Sequence, residues 1–232
     1  YILEEKKNKK MSVMVAAAKK DVVDKRIEAL KKAELPVHFV GMDTIALANA
    51  LAELNCKSRE EGSETKGESG VLALVDMGSS VSSLTILLNG KPCFARDIFI
   101  GGQDFVKQMA TSLGQSEQEA EKIIAEQGSS TTGLLDHCQS ALNNIIQELR
   151  LSFDYFSTEK NREIDKLYIT GGLSLLSGMS DTLQQNLEVN VEVLNFFSKI
   201  QIPEGIAKEQ LDANSSKLSV ALGLALYGYD TD

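Results

Sequence analysis

The stretch Val71 to Gly102, VLALVDMGSSVSSLTILLNGKPCFARDIFIGG, constrains the fold more than any other part of the chain. An apolar run, Val71 to Val75, predicts a strand and ends in one carboxylate, Asp76. A small-residue loop follows, Met77-Gly78-Ser79-Ser80-Val81-Ser82-Ser83, and then Leu84, Ile86 and Leu88 share the face of a second strand. Asn89-Gly90 is a two-residue hairpin signal, and a third strand, about Pro92 to Phe99, runs into Gly101-Gly102. Gly78 lets the backbone approach a ligand closely, and the N–H groups and hydroxyls of such a turn (Ser79, Ser80, Ser82) suit phosphate oxygens. Asp76 suits a hydrated magnesium ion, which takes one or two carboxylates plus phosphates. A plain hairpin with a serine-rich turn would use the same residues, so this stretch alone leaves both readings open.

The flanking chain predicts an α/β layer on each side. Tyr1 to Glu5 and Ser12 to Ala18 read as strands around a lysine-rich turn, and Asp21 to Glu34 as a helix with Val23, Ile27 and Leu30 on one stripe. Pro36 stops that helix ahead of a short strand, Val37 to Val40. Asp43 caps an alanine-rich helix, Thr44 to Leu54, suited to close packing. Asn55 to Gly70 has almost no apolar residue and reads as a linker.

Beyond the hairpin, Gly101-Gly102-Gln103-Asp104-Phe105 opens a helix to about Ser112, where a helix N-terminus can add N–H groups to an anion site. Ser116 to Glu119 caps another helix, to Gln127. The longest helix spans Leu134 to Phe156, with Leu135, Cys138, Leu142, Ile145, Leu149, Phe153 and Phe156 stepping by 3 or 4. Lys166 to Thr170 is a strand running into Gly171-Gly172-Leu173-Ser174. Ser180 caps a helix to about Leu187, Val191 to Leu194 is a strand, and Leu218 to Tyr227 is a helix apolar nearly all round, expected in the core.

The 232 residues suffice for one large domain or two ordinary ones. The formal net charge of −9 argues against general affinity for nucleic acid or anionic lipid. Cys56, Cys93 and Cys138 are scattered, lack metal-ligand spacing and fit a reducing cytosol. No apolar run reaches the roughly 20 residues of a membrane span. No paired carboxylates, activated nucleophile or histidine base stands out, so no catalytic residue is assigned.

Two glycine loops follow strands, DMGSS after Val75 and TGG after Ile169, and two such loops can clamp one nucleotide from opposite sides. At these residues the chain resembles the actin-like ATPase superfamily. Asp76-Met77-Gly78-Ser79-Ser80 looks like its second phosphate loop, Ile100 to Phe105 like the G-G-x-D-F segment of the DnaK-type chaperones, and Tyr168 to Ser174 like the adenosine loop. Closer still is the PilM family of type IV pilus assembly proteins, with FtsA as a cousin. Val13 to Ala18, Met42-Asp43 with the helix after it, Glu148 to Phe156 and Ala221 to Ala225 carry that resemblance.

The resemblance implies an actin-like (ribonuclease H-like) fold, with residues 1–54 the remainder of a first lobe, 55–70 a linker and 71–232 a complete second lobe. The superfamily's first phosphate loop is not present, so the chain is expected to be the C-terminal part of such a protein. ATP and magnesium are the implied ligands, with Asp76 on the metal and Asp76, Gly78, Ser79, Ser80, Ser82, Gly101, Gly102, Gly171, Gly172 and Leu173 around the nucleotide. Ser79 stands where actin has an acidic residue, which implies weak or absent hydrolysis. The implied role is a cytoplasmic scaffold, peripheral to the inner membrane, docked on the cytoplasmic tail of a PilN-like protein and capable of self-association. An FtsA-like division protein is the nearest alternative, and an actin-fold kinase or chaperone-type ATPase the next.

Overall fold

The computed structural model describes residues 2–6, 10–13, 15, 17–57, 70–200, 202, 211 and 214–229. The chain opens with an antiparallel pair, β1 (Ile2–Lys6) and β2 (Lys10–Val13). The second strand was expected to reach Ala18, but it stops at Val13, and Val15 is 80% exposed. Helix α1 (Lys20–Lys32) follows and buries no residue. Its predicted stripe meets no packed layer: Ile27 is half-buried and Leu30 is 41% exposed. The strand expected at Val37 to Val40 does not form. Phe39 and Val40 stay about half exposed.

Order in the core begins at α2 (Asp43–Lys57). The helix runs three residues beyond its expected end at Leu54, into the start of the polar stretch, whose residues 58–69 lie outside the described ones. The centre of the molecule is a five-stranded sheet in the order β5-β4-β3-β6-β7. Strands β3 (Val71–Met77), β4 (Ser82–Leu88) and β5 (Lys91–Ile98) form an antiparallel meander, and β6 (Lys166–Thr170) and β7 (Asn190–Val193) add in parallel. Asn89 and Gly90 both have positive φ (53° and 77°), as the tight turn between β4 and β5 needs.

Between β5 and β6 the chain crosses through α3 (Gly102–Leu113), α4 (Glu117–Gln127) and α5 (Gln139–Lys160); α6 (Met179–Leu187) joins β6 to β7. Two expected boundaries move. The long helix was to start at Leu134, but Leu134–Cys138 is a 3-10 turn ahead of α5. Gly178, not Ser180, is the residue before α6. At α4 the capping box forms as the sequence predicts: Ser116 Oγ accepts from the Glu119 N–H at 3.3 Å, and Glu119 Oε2 accepts from the Ser116 N–H at 3.0 Å.

Alternation along β3 feeds two cores. Val71, Ala73, Val75 and Met77 pack with Phe105, Met109, Leu142, Ile145, Leu149 and Phe156 from α3 and α5. Leu72 and Leu74 face the other way, with Leu87 and Tyr168, onto Leu47 and Leu51 of α2. A strand covered on both faces must be apolar throughout, which is why Val71 to Val75 is an unbroken run. The final helix, α7 (Ser219–Tyr229), lies on α2. A Cβ at Gly223 would sit 2.5 Å from the Ala46 carbonyl oxygen, so glycine there sets the close approach that the alanines of α2 suggest. The expectation of an all-round buried helix is corrected: Ala221 and Ala225 are exposed and Val220, Leu222, Leu224 and Leu226 only half-buried. One side of α7 packs, and the described chain puts nothing against the other.

Candidate functional site

Because β3 and β6 are parallel neighbours, the loops after them open at the same end of the sheet. Ligands of open α/β sheets gather at such strand ends. Here the two glycine loops enclose one cleft of about 1050 Å³, large enough for a nucleotide. Asp76, Met77, Gly78 and Ser79 line one side, with Gly102, Gln103 and Lys107 from α3. Gly171, Gly172, Leu173, Leu175 and Leu176 line another, and α4 contributes Glu117, Gln118, Glu121, Ile124 and Ala125.

The loop after β3 is held from below. The Gly78 N–H donates to the Val81 carbonyl (3.1 Å), closing the turn. The Gly102 and Gln103 N–H groups donate to the carbonyls of Gly78 and Ser79 (2.9 and 2.8 Å), and Asp104 Oδ2 accepts from the Gly101 N–H at 2.9 Å. The GGQD segment therefore spends the Gly102 and Gln103 N–H groups on the loop itself, so here it is a clamp. Ser82 is fully buried and its hydroxyl donates to the Ile100 carbonyl at 2.8 Å, tying β4 to the same segment. Ser79 and Ser80 are exposed at the tip, and their N–H groups donate to no described backbone group.

The second loop presses against the first. Gly171 has φ +87°, and a Cβ there would lie 2.5 Å from the Met77 carbonyl oxygen and 2.7 Å from Asp76 Oδ1. Only glycine meets both conditions. At Gly172 a Cβ would meet nothing within 4 Å, so this residue borders open cleft. Thus Asp76, Gly78, Ser79, Gly102, Gly171, Gly172 and Leu173 come together at the cleft, whereas Ser80, Ser82 and Gly101 do not line it.

Burial, followed by the nearby negative charge of Asp43, raises the Asp76 carboxyl from 3.8 to about 6. A carboxylate in that position is stabilised by a cation beside it. Among the described residues no group of three or more His, Cys, Asp or Glu side chains could hold a metal by itself. Asp76 thus fits a cation that draws the rest of its shell from water and phosphate, as magnesium does.

Asn214, Ser216, Lys217 and Val220 complete the lining, and sequence reasoning missed them along with Glu121. They lie in a stretch without glycine punctuation. Tertiary contacts bring them to the loop, among them the Gly171 N–H donating to the Ser216 carbonyl (3.1 Å).

A five-stranded mixed sheet covered on both faces, with paired glycine loops and one half-buried carboxylate at its open end, defines an actin-like ATPase fold. Solved structures agree. The MreB5 protein of Spiroplasma citri bound to AMPPNP superposes with a TM-score of 0.59 at 10% identity, covering 92% of this chain and 66% of that one. The ethanolamine utilization protein EutJ of Carboxydothermus hydrogenoformans gives 0.59 at 19%, covering 84% and 58%. At such identities the likeness is one of fold.

The family is more specific. The type IV pilus assembly protein PilM family matches residues 2–229, and the chain belongs to it. A solved PilM-PilN type IV pilus biogenesis complex contains a chain that superposes with a TM-score of 0.77 at 28% identity, covering 92% of this chain and 59% of that one. The cell division protein FtsA of Borreliella burgdorferi is 25% identical over 217 residues, 82% of this chain and 49% of its own length. The chain therefore spans about half the length of that curated relative. Among the described residues, no helix is long and apolar enough to cross a membrane.

Proposed function

We propose that this chain is part of an ATP-binding scaffold in a type IV pilus assembly complex, docked on the cytoplasmic tail of a PilN-like inner-membrane protein. The observation that carries the nucleotide reading is the single cleft in which Asp76 and two glycine loops converge. Ser79 would offer its N–H group and hydroxyl to phosphate oxygens, and Gly172 would leave room for the nucleoside. Magnesium, held through water by Asp76, would neutralise phosphate charge. Lys107 and Lys217 are the cations of the lining.

Ser79 occupies the position where an acidic residue would order an attacking water, so ATP acts as a conformational ligand more than a fuel. Residues 71–232 form the nucleotide lobe in this reading. Residues 1–54 belong to a first lobe whose groove takes the partner's peptide, and the protein works at the cytoplasmic face of the inner membrane. The partner assignment draws on the PilM-PilN complex, whose PilM chain is longer than this one.

The test is a labelled peptide from the N-terminal tail of the PilN-like partner, titrated into this chain and into the intact protein, with and without magnesium-ATP. Tight binding by the intact protein, altered by nucleotide and much weaker for this chain, is expected. Equal affinity for both would contradict the location, and no binding to the intact protein would remove the scaffold role.

A further inference from the structure

Charge is divided unevenly along the chain. The first 32 residues hold ten basic side chains against five acidic ones, and the rest of the chain holds fourteen against twenty-eight. Helix α1 lies in the basic part and buries no residue. At 3.6 residues per turn Val23, Ile27 and Leu30 fall on one stripe, with Leu30 41% exposed. Arg26 borders that stripe on one side, and Lys20 and Lys31 border it on the other. Asp24, Glu28 and Asp21 lie beyond these lysines, and Lys25 and Lys32 are furthest from the stripe. Among the described residues no ion pair engages the basic groups of α1. An apolar stripe flanked by long cationic side chains, with the carboxylates on the far side, is the pattern of a helix lying in a membrane interface.

We propose that α1 is a membrane-contact helix. It lies on an anionic lipid surface, with Val23, Ile27 and Leu30 toward the acyl chains and Lys20, Arg26 and Lys31 at the headgroups. Charge complementarity selects that occupant. The chain as a whole is negative, but at physiological salt charges more than about 8 Å from the surface are largely screened. A helix laid on the bilayer therefore counts its own basic groups, while the acidic remainder is held on the solvent side. Nucleic acid would pair with the same cations and leave the apolar stripe uncovered, whereas a bilayer interface takes both. The proposal goes beyond docking on a PilN-like tail and does not require it.

The experiment is flotation of the intact protein, without partner or nucleotide, on vesicles of phosphatidylcholine alone or mixed equally with phosphatidylglycerol. The wild type should float with the anionic vesicles only, and less as salt rises. Arg26→Gln with Lys31→Gln should weaken binding about 25-fold, since each basic residue at an anionic surface contributes about fivefold. Leu30→Ser should weaken it about tenfold through lost burial of the stripe. Lys25→Gln with Lys32→Gln removes the same charge from the far side and should weaken it less. Absence of binding to anionic vesicles, or equal losses from the two charge pairs, would overturn the proposal. A Leu30→Ser variant that melts several degrees lower would overturn it too, by showing the stripe packed inside the intact protein. So would a wild type that ignores vesicles yet self-associates in a salt-sensitive way lost with Arg26 and Lys31, which would give the face to a second copy. None of these outcomes bears on ATP or peptide binding, which are measured separately.

Discussion

Asp76 is where stability and function pull against each other. Its carboxyl is raised to about 6 in the fold, against 3.8 for a free one, so the folded chain disfavours its ionised form. The penalty is present in full above pH 6 and is relieved as pH falls from 6 toward 4; ionised, it is worth roughly 3 kcal/mol at most. Asp76→Asn should therefore stabilise the ligand-free chain at pH 7.5 by up to roughly that amount. Urea unfolding in chelator at pH 7.5 and pH 4 checks this, with the gain expected to vanish at the lower pH. Cys138 makes a second residue-level case. It is fully buried, and burial lifts its thiol to about 11, so it should label only as the chain unfolds. Cys93 is half-buried and also raised, chiefly by burial.

At the scale of elements, the two glycines of the TGG loop should separate fold from binding. Gly171→Ala forces a Cβ into the Met77 carbonyl at a backbone angle alanine avoids, and should cost about 2 kcal/mol or more by thermal melting. Gly172→Val faces open cleft, so the chain should melt near the wild-type temperature while nucleotide affinity falls. Much of this was legible in the sequence. The apolar β3, the Asn89-Gly90 turn and the Ser116–Glu119 box are local signals, and each formed where its residues demanded. The cleft was half legible. Glycine marks a loop but not its hydrogen-bond partners, so nothing in GGQD revealed that the Gly102 and Gln103 N–H groups are spent on the Gly78 and Ser79 carbonyls. The Val37 to Val40 strand failed for a related reason. Strand propensity is realised through packing against neighbouring strands, and Phe39 and Val40 stay about half exposed.

For the molecule as a whole, packing is unequal between the two ends of the chain. The sheet and its helices hold two cores, whereas α1 buries nothing and Leu35, Phe39, Val40 and Met42 are 40% exposed or more. Amide hydrogen exchange should show α1 exchanging rapidly and β3 and α5 protected to the limit of global unfolding. Equal protection of α1 would show that it is packed in solution. The central claim is that the cleft between the Asp76 and Gly171 loops holds ATP through a magnesium ion on Asp76. Calorimetric titration of ATP into the intact protein and its Asp76→Ala variant, with and without magnesium, tests it most directly. The wild type should bind ATP more tightly with magnesium, and the variant should lose the magnesium-dependent part. Unchanged magnesium-ATP affinity in Asp76→Ala would contradict it and reduce the loop after β3 to a hairpin turn.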